Sequence, residues 1–155
     1  MSDDPTEGTE AMTTTPSDTP RATSPAGPEG QALNWKLELV AIPVTDIDRA
    51  KSFYVDQVGF NADHDVRVNE SLRFIQLTPP GSACSICLGE GITEMAPGTQ
   101  LGLQIVVPNA DDARKHLVDH GVEASEVDEQ SWGRFVYFAD PDGNTWALQE
   151  LPRRG

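Results

Sequence analysis

The chain has 155 residues, with 25 Asp and Glu against 11 Lys and Arg and a formal charge of −14 at pH 7. That length suits one well-buried domain and is short for two independent ones. So acidic a surface repels phosphate backbones, no basic run with interleaved aromatics offsets it, and no apolar stretch reaches membrane-spanning length; nucleic acid and membrane are excluded as partners.

Residues 1–33 are crowded with Thr, Ser, Pro, Gly, Asp and Glu, and carry six carboxylates against Arg21. A segment with so little apolar surface cannot offset its ordering entropy, so a disordered acidic tail is expected, followed by one folded domain over residues 34–155. It has neither the basic start and apolar run of a secretory signal nor an Arg-rich amphipathic pattern.

Leu37–Val44 alternates as a strand, and Thr45-Asp46 starts a helix over Ile47–Gln57 that Gly59 ends. Strands are expected at Ala62–Val68, Leu72–Thr78 and Cys84–Leu88, with Pro79-Pro80-Gly81-Ser82 as the last turn. After a Gly-, Pro- and Thr-rich connection the order recurs. It runs through strand Leu101–Val107, helix Ala110–His120 and strands Val122–Glu126 and Arg134–Ala139. The turn Asp140-Pro141-Asp142-Gly143 and strand Asn144–Leu151 complete it. Pro43 and Pro108 cannot donate to a ladder and belong at strand ends. Cys84 and Cys87 form a lone CxxC on a strand, too far apart for a disulfide, and are read as small hydrophobes of a reducing cytoplasm. His116 and His120 share a helix surface, and no third ligand accompanies them.

The recurrence is visible in the residues themselves. Ile42–Phe60 superposes on Ile105–Val122 at an offset of 63, and Phe74–Leu88 on Phe135–Gln149 at an offset of 61. The chain is therefore expected to be an α+β domain of two tandem βαβββ modules, residues 37–89 and 101–151. Their curved mixed sheets enclose a cleft, within one chain or across a homodimer.

The stretches LVAIPVTDIDRAKSFYVDQVGF and FADPDGNTWALQE resemble the two signatures of the vicinal oxygen chelate superfamily. Its members include glyoxalase I, extradiol dioxygenases, fosfomycin resistance enzymes and bleomycin-binding resistance proteins. The resemblance covers Leu37 to about Leu151 and implies the glyoxalase/bleomycin resistance-like fold. In metal-dependent members four ligands, usually His, Glu or Gln, come from the first and last strands of each module. Carried over, these positions are Leu39, Ile86, Gly102 and Ala147, none of which donates to a metal. A site without the usual metal chelate and without a cofactor is expected.

On a strand, residues two apart share a face. Ala41 then joins Leu39 in the cleft, Gln104 joins Gly102, Gln149 joins Ala147, and Trp132 supplies stacking surface. If the DPDG turn closes a four-residue hairpin, Arg134 lies opposite Gln149. Arg73 follows by the repeat, and both guanidinium groups enter the cleft; a one-residue slip presents Gln76 and Tyr137 instead and turns the arginines outside. Two functions follow. One is a binding or sequestering protein that holds a small organic molecule in an apolar cleft. The other is a glyoxalase-like enzyme, metal-independent or with displaced ligands. In it Arg73, Arg134, Gln104 and Gln149 polarise a carbonyl and stabilise an enolate, and Tyr54 or Tyr137 carries the proton.

Overall fold

The computed structural model describes residues 33–153, so all but the last residue of the expected tail lies outside them. Every element belongs to the unit Glu38–Gly155. The first half contains β1 (Leu39–Ala41), α1 (Ile47–Ser52) with a π-helical continuation (Phe53–Val58), β2 (Asn61–Asn69), β3 (Leu72–Thr78) and β4 (Ser85–Glu90). The second contains β5 (Leu103–Val106), α2 (Ala110–Asp119), β6 (Asp128–Gln130), β7 (Gly133–Ala139) and β8 (Thr145–Glu150). Each half builds a four-stranded mixed sheet, in the orders β1-β4-β3-β2 and β5-β8-β7-β6.

Local chemistry accounts for the helices. Asp46 caps α1 by accepting from Arg49 N at 3.0 Å, and Asn109 caps α2 by accepting from Asp112 N at 2.9 Å. Gly59, at φ 105°, closes the first helix, with the Gly59 and Phe60 amides converging on the Tyr54 carbonyl at 2.9 and 2.8 Å. The wider π turn carries Phe53 and Tyr54 together into the interior, where both are buried.

Strand pairing assigns the faces, because directly paired residues project to the same side. In the second sheet Val136 pairs with Leu148 and Phe138 with Trp146, all four buried on the helix side. Phe135 with Gln149 and Tyr137 with Ala147 take the opposite, open side. In the first sheet Ile75–Leu88 and Leu77–Ile86 face the helix, while Gln76–Cys87 and Phe74–Gly89 face away. The helix-side residues of both sheets merge into a single core containing Ile42, Tyr54, Leu77, Leu88, Leu117, Val136 and Trp146.

Two features depart from the sequence expectation. The second strand of the second half lies at Asp128–Gln130 rather than Val122–Glu126. Val122 is drawn into the core, and the Ser125 hydroxyl takes the Tyr137 amide at 2.9 Å, so regular pairing begins only at Asp128 opposite Phe135. The β7–β8 register is also one residue from the assumed hairpin: Arg134 pairs with Glu150, and Tyr137 with Ala147.

The β7–β8 turn clamps the halves together. Asp140 accepts from Tyr54 Oη at 2.8 Å, and Tyr54 Oη in turn accepts from Trp146 Nε1 at 3.0 Å. Asn144, fully buried, donates to the Pro43 carbonyl at 2.9 Å and accepts from Gln100 N at 3.0 Å. Asp142 accepts from the Thr45 hydroxyl at 2.6 Å. Asp142 Oδ2 is buried without a hydrogen-bond partner, whereas the Tyr54, Asp140, Asn144 and Trp146 groups are paired, and paired buried groups of this kind specify one arrangement of the elements around them.

Candidate functional site

The open face of the second sheet forms a cavity of about 340 Å³. Gly102 and Gln104 precede and begin β5, Ala147 and Gln149 lie on β8, Phe135 and Tyr137 on β7, and Asp128, Gln130 and Trp132 at β6 and its turn. Alternation along each strand explains why these side chains converge. Trp132 and Tyr137 are 61% and 42% exposed, which is unusual for rings of that size. The Phe135 and Tyr137 rings run nearly parallel, with centroids 6.2 Å apart.

Polar groups in the cavity are held by one another. Tyr137 Oη donates to Asp128 Oδ2 at 2.7 Å, Gln130 Nε2 donates to Asp128 Oδ1 at 2.9 Å, and Gln149 Nε2 donates to the Trp132 carbonyl at 3.1 Å. The hydrogen bond to Asp128, followed by partial burial, raises the Tyr137 phenol above its ordinary value. The lining is thus aromatic and amide-rich rather than mainly apolar.

Of the residues expected in the cleft, Gly102, Gln104, Trp132, Ala147 and Gln149 meet here, together with Tyr137. Leu39 and Ala41 pair with Ser85 and Cys87 on the open face of the first sheet. Ile86 does not join them: it pairs with Leu77 on the helix side and is buried in the core. The hairpin from Leu77 to Ile86 encloses one residue more than that from Phe138 to Trp146, so the counterpart of Ala147 is Cys87.

Neither arginine enters a cleft. Arg73 forms two hydrogen bonds to Asp65 at 3.0 and 2.9 Å and reaches Asp48 of α1 at 3.1 Å. Arg134 repeats the pattern on Asp111 of α2, Glu129 and Glu150, at 3.0, 2.9 and 3.0 Å. Both sit on the helix side, where neighbouring carboxylates push their guanidinium groups further toward the charged form. Tyr54 is likewise removed from any cleft. Burial first, and Asp140 next, raise its phenol far above the ordinary range, so it acts as a framework hydrogen-bonding group.

The chelate positions do not fit a metal. Leu39, Gly102 and Ala147 offer no lone pair, and Cys87 supplies one thiol where a catalytic divalent ion takes about three protein ligands. Among the described residues no three His, Cys, Asp or Glu side chains are grouped to hold an ion elsewhere. Asp128, Gln130 and Phe135 were missed in the sequence. The first two were hidden because the strand was sought at Val122–Glu126, whereas Phe135 is legible as the residue two before Tyr137.

Among the described residues no helix is long and apolar enough to cross a membrane. Comparison with known proteins gives a consistent picture. YetH of Bacillus subtilis (strain 168), an uncharacterised protein, is 28% identical over 119 residues, spanning 74% of this chain and 98% of its own. TnmS3, an antibiotic-binding protein from Streptomyces sp. CB03234, is 31% identical with a TM-score of 0.71, covering 79% of this chain and all of its own. A glyoxalase/bleomycin resistance protein from the same Streptomyces is 33% identical with a TM-score of 0.66, covering 74% of this chain and all of its own. With residues 36–148 matching the family model, the chain belongs to the Glyoxalase/Bleomycin resistance protein/Dioxygenase superfamily.

Proposed function

We propose that this protein binds and sequesters a small planar organic molecule without a metal chelate, in a cleft that a second copy of the chain completes. The observation that carries the reading is the open cavity of the second sheet. It presents exposed Trp132 and Tyr137 on a rigid strand framework, with no nucleophile–base pair among its lining residues. The antibiotic-binding activity of TnmS3, at 31% identity, supports the same class of ligand. The enolate chemistry expected of Arg73 and Arg134 loses its support, since both arginines are engaged on the helix side.

The dimer is supported by the cavity's composition. All its lining residues come from the second half of the chain, while Val66, 50% exposed, pairs with Phe74 on the uncovered face of the first sheet. A partner's first sheet laid over the second would bury these apolar groups together. The reduced thiols of Cys84 and Cys87 are consistent with a cytoplasmic setting.

Titration of the full chain with a panel of planar aromatic compounds, following Trp emission against a Trp132→Phe control, tests the binding. Saturable quenching that Trp132→Phe abolishes is expected; no saturable response across the panel would remove the reading. Sedimentation velocity tests the assembly. A dimer that Val66→Glu converts to folded monomer is expected, and a native protein monomeric at micromolar concentration would refute it.

A further inference from the structure

Charge divides sharply between the two faces of the second sheet. On the helix side Arg134 meets Asp111, Glu129 and Glu150 within 3.0 Å. On the open side, among the described residues that line the cavity, none is a cation and Asp128 is the single carboxylate. Its two partners, Tyr137 at 2.7 Å and Gln130 at 2.9 Å, are neutral donors that leave its charge uncancelled.

The Tyr137 hydroxyl points the same way. Tyr137 gives its proton to Asp128, so its oxygen is left to a ligand as an acceptor. Gln130 gives one amide hydrogen to Asp128, and Gln149 gives one to the Trp132 carbonyl at 3.1 Å, so each keeps both its amide oxygen and one N–H for a ligand, and the amides favour neither sign of charge. The one charge in the cavity is therefore the Asp128 carboxylate, beside the parallel rings of Phe135 and Tyr137 and the exposed Trp132. An anionic ligand would meet repulsion with no compensating cation among the lining residues. A flat ring bearing a positively charged N–H group would gain stacking, a charge-assisted hydrogen bond and favourable contact with the ring faces.

We propose that the cavity selects planar aromatic ligands carrying a protonated amine, and that Asp128 sets this preference. The proposal rests on the small-molecule reading above and adds the ligand's charge to it.

Fluorescence titration of the full chain with three flat probes of similar size separates the two ideas: proflavine as the cation, acridone as the neutral ring and anthraquinone-2-sulfonate as the anion. Proflavine should bind tightest and the sulfonate weakest. Asp128→Asn should weaken proflavine about fivefold, the scale of one solvent-accessible charge pair, and leave acridone unchanged. Asp119→Asn, an equal change in net charge on the exposed face of α2, should alter neither, which separates a local contact from the general attraction of an acidic protein. Tyr137→Phe should keep the cation preference, because Asp128 remains. Sulfonate binding as tight as proflavine, or Asp128→Asn acting no more strongly than Asp119→Asn, overturns the proposal while acridone binding leaves the small-molecule reading intact. Failure of all three probes overturns both.

Discussion

Replacing Tyr54 by Phe removes one oxygen atom from the junction between the two halves, and the structure sets the cost. The hydroxyl is fully buried, donates to Asp140 at 2.8 Å and accepts from Trp146 Nε1 at 3.0 Å. Asp140 Oδ2 keeps its bond from Asn144 Nδ2 at 2.8 Å, whereas the indole N–H is left without a partner. A hydrogen bond to a carboxylate contributes about 2 kcal/mol and an orphaned buried donor costs about 1–3 kcal/mol, so Tyr54→Phe should lose about 3 kcal/mol of stability. For a folded part of this size that is a fall in Tm of about 12 °C. Urea and thermal denaturation followed by circular dichroism measure it, and a double-mutant cycle with Trp146→Phe should return a coupling of about 1 kcal/mol. Because burial and Asp140 keep the phenol protonated, the loss should be equal at pH 7 and pH 9. Ligand affinity should not change while the variant is folded. A loss below about 1 kcal/mol would refute the view that this network joins the halves.

Three further outcomes follow from the same contacts. Hydrogen bonds from Arg73 first, and Lys51 next, depress the Asp65 carboxyl, so its contribution is present above the ordinary aspartate value and is lost as pH falls through the depressed folded value. Asp65→Asn should therefore cost about 1 kcal/mol at pH 7, with the gap to the parent closing under acid denaturation below about pH 4. Arg134→Ala should lower stability only slightly and leave ligand affinity unchanged, since its partners lie on the helix side; a loss of binding in a folded variant would contradict that placement. Cys87 is 3% exposed and burial pushes its thiol up, so an aromatic disulfide reagent should label the part-exposed Cys84 first and Cys87 only on unfolding.

The fold was legible because its signals are local. The Asp46 cap, the Gly59 stop and the Pro79–Ser82 turn each act within a few residues of themselves, and the recurrence doubles the evidence for each. Register was not legible, because its cause is long-range. Asn144 is held in the turn by Pro43 and Gln100, 101 and 44 residues away in sequence, contacts no neighbouring residue reveals. That lengthens the β7–β8 connection beyond four residues, and one position of shift turned Arg134 from the expected cleft to the helix side. The first hairpin is longer again by one residue, which moved Ile86 into the core and brought Cys87 to the open face. An alignment by identity could carry the offset up to each turn but not across it.

The core and the proposed binding surface consequently sit on opposite faces of the same strands. The core residues Val136, Phe138, Trp146 and Leu148 alternate along β7 and β8 with Phe135, Tyr137, Ala147 and Gln149, so a change on the open side leaves the helix-side packing in place. Gln104 tests this separation most directly: it is exposed, lines the cavity, and pairs with Ala147 through backbone alone. Gln104→Leu should leave the unfolding free energy within about 0.5 kcal/mol of the parent, the range of ordinary surface substitutions. It should nevertheless shift the affinity for any ligand that uses the amide by about fivefold or more, the effect of one lost hydrogen bond. Equal losses in stability and binding would mean that the open face helps to hold the fold. Unchanged binding would place the ligand away from β5, toward Trp132 and Tyr137.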